Sequence, residues 1–184
     1  DANVAIEAAP LTSKLQSISG TDSKLLLASD VAALGQVESV DVRGRTLTVL
    51  GQKYQISSTT RFVRNELFSG VRILKFLSVG DFVAVTGQNG SGALQATAVV
   101  SAAGMYVSGA STVYVKGQIT SNDPTLGRVF VGTLAIDYTA LLSFSNFSAL
   151  GVGSTVELSG IQPLAVGLVL ANDANVISAR SIAG

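Results

Sequence analysis

Four basic side chains, Arg61, Arg64, Arg72 and Lys75, fall within the stretch RFVRNELFSGVRILKF, with Phe62, Phe68 and Phe76 set between them. Cations interleaved with aromatic rings can hold single-stranded nucleic acid, the cations on phosphates and the rings stacked on bases. Two other readings compete. The segment can be a partly helical plug whose Phe, Leu and Ile side chains close the end of a barrel while the arginines snorkel outward. It can also be a protein-contact face built on Phe68, Val71 and Ile73. Residues 35–101 carry seven basic and four acidic side chains, an excess too small to draw a polyanion strongly. The plug is therefore preferred, the protein-contact face comes second, and polyanion contacts through the four cations, nucleic acid among them, come last.

The remaining chemistry is sparse. The chain has no histidine and no cysteine. That removes the usual general base near neutral pH, the commonest transition-metal ligand, thiol catalysis, disulfides and thiolate metal sites. Asp41 and Asp123 stand at similar places after a first strand, where a carboxylate caps a turn by accepting backbone N–H bonds. No spacing brings two carboxylates together as a catalytic pair. The stretch NGSG from Asn89 lacks the lysine and the following helix of a phosphate loop. SNDPTLG from Ser121 has too few acids for a calcium loop, and NFS at Asn146 is a formal glycosylation sequon. No catalytic, cofactor-binding or metal-binding residue is assigned, and no enzyme is expected.

The elements around these residues are read from a repetition. LSVGDFVAVTG, Leu77–Gly87, returns as LGVGSTVELSG, Leu150–Gly160, at an offset of 73 residues. Upstream, GQVESVDVRGRTLTVLGQKYQI reads like GQITSNDPTLGRVFVGTLAI, which pairs Gly35 with Gly117, Gly44 with Gly127, Gly51 with Gly132 and Ile56 with Ile136. Downstream, AVVS at Ala98 parallels NVIS at Asn175. Within each copy the apolar residues alternate with period two, as in half-buried strands. Strands are expected near 36–42, 45–50, 52–57, 81–87 and 93–101, with the longest excursion, 62–79, between the third and the fourth. Five short strands with an insertion after the third is the rhythm of an OB-type barrel. Closure also removes exposed sheet edges. The L-x-V-G segment is read as a tight turn into the fourth strand, the alternating residues as its core face, and the last glycine as the start of the next turn. A single β-sandwich built from both halves is the alternative. The fold expected is all-β: two tandem small OB-like β-barrels, 24–101 and 106–178, after an extended N-terminal arm, 1–23.

The pattern GQV…D…G…TVLGQ.Y.I…T.F…L.VGD.V.V.G……L.A..V resembles a family of uncharacterised bacterial domains of unknown function. These domains occur in tandem in proteins predicted to be exported. The resemblance covers about 24–101 well and 106–178 less well, where Ser154 replaces Asp81. Its motifs are structural glycines and core valines, so it implies a fold and no activity.

Charged residues make up 13% of the chain and the formal net charge is zero, so nothing pulls it toward nucleic acid or anionic lipid. No apolar run reaches the length of a membrane helix. The start at Asp1, together with abundant Gly, Ala, Ser, Thr and Val, suits a mature exported protein, extracellular or periplasmic. Val4 and Ile6 alternate with small and polar neighbours before Pro10. Such an arm can pack on its own domain or add a strand to a neighbouring molecule. The expected function is a non-enzymatic secreted structural or adhesive subunit, a homo-oligomer or part of a protein complex, joined through apolar contacts at Val4, Ile6, Phe68, Val71 and Ile73. The alternative is a periplasmic binding module for oligosaccharide, peptide or single-stranded nucleic acid. Stacking on sugars is weakly provided for, with no tryptophan and four tyrosines.

Overall fold

The computed structural model describes residues 31–63, 67–69, 73–89, 94–101, 106–142, 151–164 and 166–178. The described residues are almost entirely β. It forms two compact units, one running to Tyr106 and the other continuing from Val107.

In the first unit, β1 (Val31–Asp41) bends at a bulge between Val37 and Ser39. Its second half pairs with β2 (Thr46–Val49), and β2 pairs with β3 (Gln52–Gln55) through the two-residue turn Leu50–Gly51. Both turn residues have positive φ, 49° and 70°, the backbone that matches the right-handed twist of a hairpin. The first half of β1 pairs with β6 (Phe82–Asn89), β6 pairs with β7 (Leu94–Ser101), and β7 runs parallel to β3. The cycle β1–β2–β3–β7–β6–β1 closes a five-stranded barrel, as the strand rhythm predicts. Its core collects Leu34, Val37, Leu47, Val49, Tyr54, Ile56, Val83, Val85 and Val99. Burying each such side chain contributes about 1.5–3 kcal/mol.

The excursion after β3 was expected as a partly helical plug. It holds a small hairpin instead, β4 (Arg61–Val63) with β5 (Leu67–Ser69), followed by one helical turn, α1 (Ile73–Phe76). β4 runs parallel to β7 at Ala98–Val100, beyond the part of β7 that β3 covers. Phe62 and Leu74 are buried, which is the anchoring part of the plug reading. The alternation was missed because three-residue strands are too short to show a period.

In the second unit the strand pairings follow the same cycle. β8 (Thr112–Asp123) pairs with β9 (Arg128–Val131) and, through its first half, with β11 (Thr155–Ile161). β9 pairs with β10 (Leu134–Asp137), which runs parallel to β12 (Val169–Ser178), and β12 returns to β11. A short 3-10 turn, Thr139–Leu141, follows β10.

The registers correct the alignment read from sequence. Asp41 faces Thr46 as Asp123 faces Arg128. The N–H of Ile56 donates to the carbonyl of Arg45 (2.8 Å), and that of Tyr138 donates to the carbonyl of Gly127 (2.9 Å). Arg45, not Gly44, is therefore the counterpart of Gly127, and both have positive φ, 57° and 65°. Leu50 corresponds to Gly132, and the buried pair Tyr54, Ile56 corresponds to Ile136, Tyr138 with aromatic and aliphatic exchanged. The offset is thus constant from β1 through β3, and it drops only across the excursion that carries the extra hairpin. At the end, Ser101 and not Val99 occupies the place of Val176, since they face Val83 and Val156.

The repeated eleven-residue segment now has a cause in each part. Gly80 and Gly153 have φ of +96° and +94°, a region in which side chains are strained. Their N–H groups donate to the carbonyls of Val37 (2.9 Å) and Ile119 (2.8 Å), the residues at the bulges of β1 and β8. The N–H groups of Val37 and Ile119 donate in return to Asp81 and Ser154 at 2.8 Å each. One turn thereby clips the bent first strand to the fourth, twice. The last glycine does not start a turn, as the sequence suggested. Gly87 and Gly160 lie inside β6 and β11 at register shifts, where a Cβ on Gly87 would stand 2.5 Å from the Gln95 carbonyl oxygen. Gly35 and Gly117 leave room for the side chains of Leu50 and Val131.

Candidate functional site

The valine of the repeated turn was taken as a core position. It is exposed in both copies, Val79 by 68% and Val152 by 62%. The turn accounts for its other members. Leu77 is buried, Gly80 supplies the positive φ, and the Asp81 carboxylate accepts the Ser78 N–H at 2.9 Å. The geometry gives no reason for an apolar side chain at the tip. Two further exposed apolar residues, Leu164 (75%) and Val166 (66%), sit between β11 and β12. Val166 has φ of +58°, costly for a β-branched residue.

Of the residues singled out from sequence, Val4, Ile6, Arg64, Val71 and Arg72 lie outside the described residues. Phe68 is on β5 in register with Phe62, and Ile73 opens α1; their side chains are also outside the described set. Arg61 on β4 and Lys75 on α1 are exposed. Asp41 accepts the Gly44 N–H at 2.8 Å and Asp123 the Leu126 N–H at 3.3 Å, so both carboxylates cap turns. Asn146 and the glycines of NGSG are outside the described residues. Among the described residues no three His, Cys, Asp or Glu side chains are grouped to hold a metal ion. No described helix is long and apolar enough to cross a membrane.

Polar groups in the interior went unread in the sequence. Glu157 on β11 is 1% exposed; it accepts the Tyr114 hydroxyl at 2.5 Å and the Asn175 side-chain N–H at 3.1 Å. Its strand neighbours are apolar, so period two alone placed it on a solvated face. The half-buried Glu38 accepts the Gly51 N–H at 3.0 Å; burial raises its pKa and that bond lowers it in part. Burial also raises the Tyr138 phenol, helped by the negative charges of Asp123 and Asp137.

Tyr54 is buried with no hydrogen-bond partner on its hydroxyl among the described residues, and burial pushes its pKa far up from 10.0. Removing an unpaired buried polar group is favourable, so Tyr54→Phe should stabilise the first unit by about 1 kcal/mol. The folded value lies above the unfolded one, so the unfolded chain releases this proton first. Tyr54 leaves stability unchanged below pH 10.0 and withdraws it as pH rises further. Alkaline unfolding of wild type and Tyr54→Phe, followed by far-UV circular dichroism, should show the variant surviving to higher pH.

The strands of the first barrel run from Val31 at the start of β1 to Ser101 at the end of β7, and the match to one known family falls within those bounds. Residues 35–100 match the Domain of unknown function (DUF5666). The DUF5666 match thus encloses β2 through β6, most of β1 after Gly35, and β7 up to Val100. It includes the first L-x-V-G turn with Val79 and the cations of the excursion. No curated protein and no solved structure matches the chain.

Proposed function

We propose that this chain is a non-enzymatic, exported structural or adhesive subunit, built from two copies of one OB-like unit and assembled with further copies of itself through exposed apolar side chains. The observation that carries the reading is the paired exposure of Val79 and Val152 at the same place in two units. Single exposed apolar residues are ordinary. Here the same turn recurs with its glycine, its hydrogen bonds and its bare valine, although a polar residue would satisfy the backbone equally well. Burying each valine against a partner would contribute about 1.5 kcal/mol or more, and many such contacts accumulate in a repeating assembly. The low fraction of charged residues, 13%, leaves little repulsion between copies. The absence of His and Cys from the sequence favours a contact role over catalysis.

Val79→Ser/Val152→Ser should abolish self-association in sedimentation velocity and leave the melting temperature within about 2 °C of wild type, because neither side chain supports the core. Association unchanged by the double substitution would remove these turns from the assembly. Deleting residues 1–10 tests the arm in the same way: folded chains that no longer associate would assign the contact to Val4 and Ile6.

A further inference from the structure

Arg45 holds a left-handed backbone, φ 57°, where the second unit places Gly127 at φ 65°. The carbonyl of each accepts the equivalent bond. Glycine adopts this conformation freely, whereas a side chain is strained in it. Arg45 is also exposed, so no burial offsets the strain. A costly residue kept where its counterpart is glycine points to a use for the side chain.

Its surroundings supply one. Arg43 stands in the same turn and is exposed. Lys53, also exposed, faces Thr48 across the β2–β3 ladder, while Gln55 faces Thr46, the residue after Arg45. Directly opposed residues share a face, so Thr46, Thr48, Lys53 and Gln55 lie together on the outward side of this hairpin, and the exposed turn with Arg43 and Arg45 adjoins its end at Thr46. The carboxylate of Asp41 is engaged by the Gly44 N–H at 2.8 Å. The second unit replaces Arg43, Arg45 and Lys53 with Thr125, Gly127 and Ala135, and Gln55 with Asp137. Three cations and one carboxylate thus correspond there to one cation, Arg128, and two carboxylates, Asp123 and Asp137. The same scaffold presents opposite signs.

We infer that the outward β2–β3 face of the first unit, with the Arg43–Arg45 turn, binds an acidic polysaccharide. Arginine forks suit carboxylates, and the hydroxyls of Thr46 and Thr48 with the amide of Gln55 suit sugar hydroxyls. None of the described residues named on this face is aromatic, so ring stacking, whether on sugars or on bases, is not offered here. Contact rests on charge and hydrogen bonds, which a carboxylated sugar chain supplies along its length, whereas single-stranded nucleic acid is held largely by stacking. This inference does not depend on self-association.

The test uses the full chain and polygalacturonate as the probe, in isothermal titration calorimetry at low and at physiological salt. Wild type should bind, with an affinity that falls as salt screens the exposed cations. Arg43→Ser/Lys53→Ser should weaken binding about tenfold or more. Arg45→Gly should raise the melting temperature and weaken binding in the same protein, which separates lost contact from lost fold. Absence of binding by wild type, or binding unchanged in both variants, overturns the inference. Tighter binding of single-stranded DNA than of polygalacturonate would overturn it in favour of nucleic acid.

Discussion

Gly160→Ala should destabilise the second unit by about 3 kcal/mol or more, the largest loss expected from one added methyl group in this chain. A Cβ at this position would collide with the carbonyl oxygen of Leu170 and crowd the backbone that follows it. Neither atom belongs to a side chain that can swing aside, and both strands are tied into their ladders on either side of the register shift. Gly87→Ala meets the Gln95 carbonyl in the equivalent place and should behave alike, with a smaller loss. Gly80→Ala is the control for mechanism. A Cβ there meets no atom within 4 Å, so only its φ of +96° resists, at about 1–2 kcal/mol. Urea denaturation of the three variants, with hydrogen exchange on β11 and β12, should rank them in that order. A Gly160→Ala chain as stable as wild type would mean that β11 and β12 do not approach as described.

The second large effect concerns Glu157. A carboxylate 1% exposed is tolerable only while its oxygens are bonded. Tyr114→Phe removes a charge-assisted bond of 2.5 Å and leaves Asn175 on the other oxygen. The expected cost is about 2–3 kcal/mol. Glu157→Leu in that background removes the stranded carboxylate and should recover much of the loss, since apolar replacement of a buried polar pair is often close to neutral. Chemical denaturation of the two single variants and the double one gives the coupling. Additive losses would show that Tyr114 does not support Glu157.

The strand content and the first barrel were legible because alternation, hairpin glycines and short spacing are local signals. Tyr54, Ile56, Val83 and Val85 all fall inside as their period predicts. The two units' residue-by-residue correspondence was not legible. Matching glycine to glycine placed Gly44 against Gly127, whereas the left-handed backbone in the first unit belongs to Arg45. Identity of residue type is a poor guide when a turn can borrow that conformation from a strained side chain. Val79 was misplaced for a related reason. Periodicity reports the faces of a strand, and the residue sits three positions before β6 begins at Phe82, on a turn whose direction hydrogen bonds set. The cations of Arg43, Arg45 and Lys53 drew no attention because they are spread through a hairpin. Only pairing of β2 with β3 brings Lys53 back along the strand that leaves the Arg43–Arg45 turn, whereas Arg61 and Lys75 stood out in a run.

The proposed function requires this chain to associate with copies of itself. Negative-stain electron microscopy with light scattering on the wild-type protein, over a concentration series, tests it directly. Regular filaments or large uniform particles that grow with concentration are the predicted result. A monodisperse monomer at every concentration would contradict it.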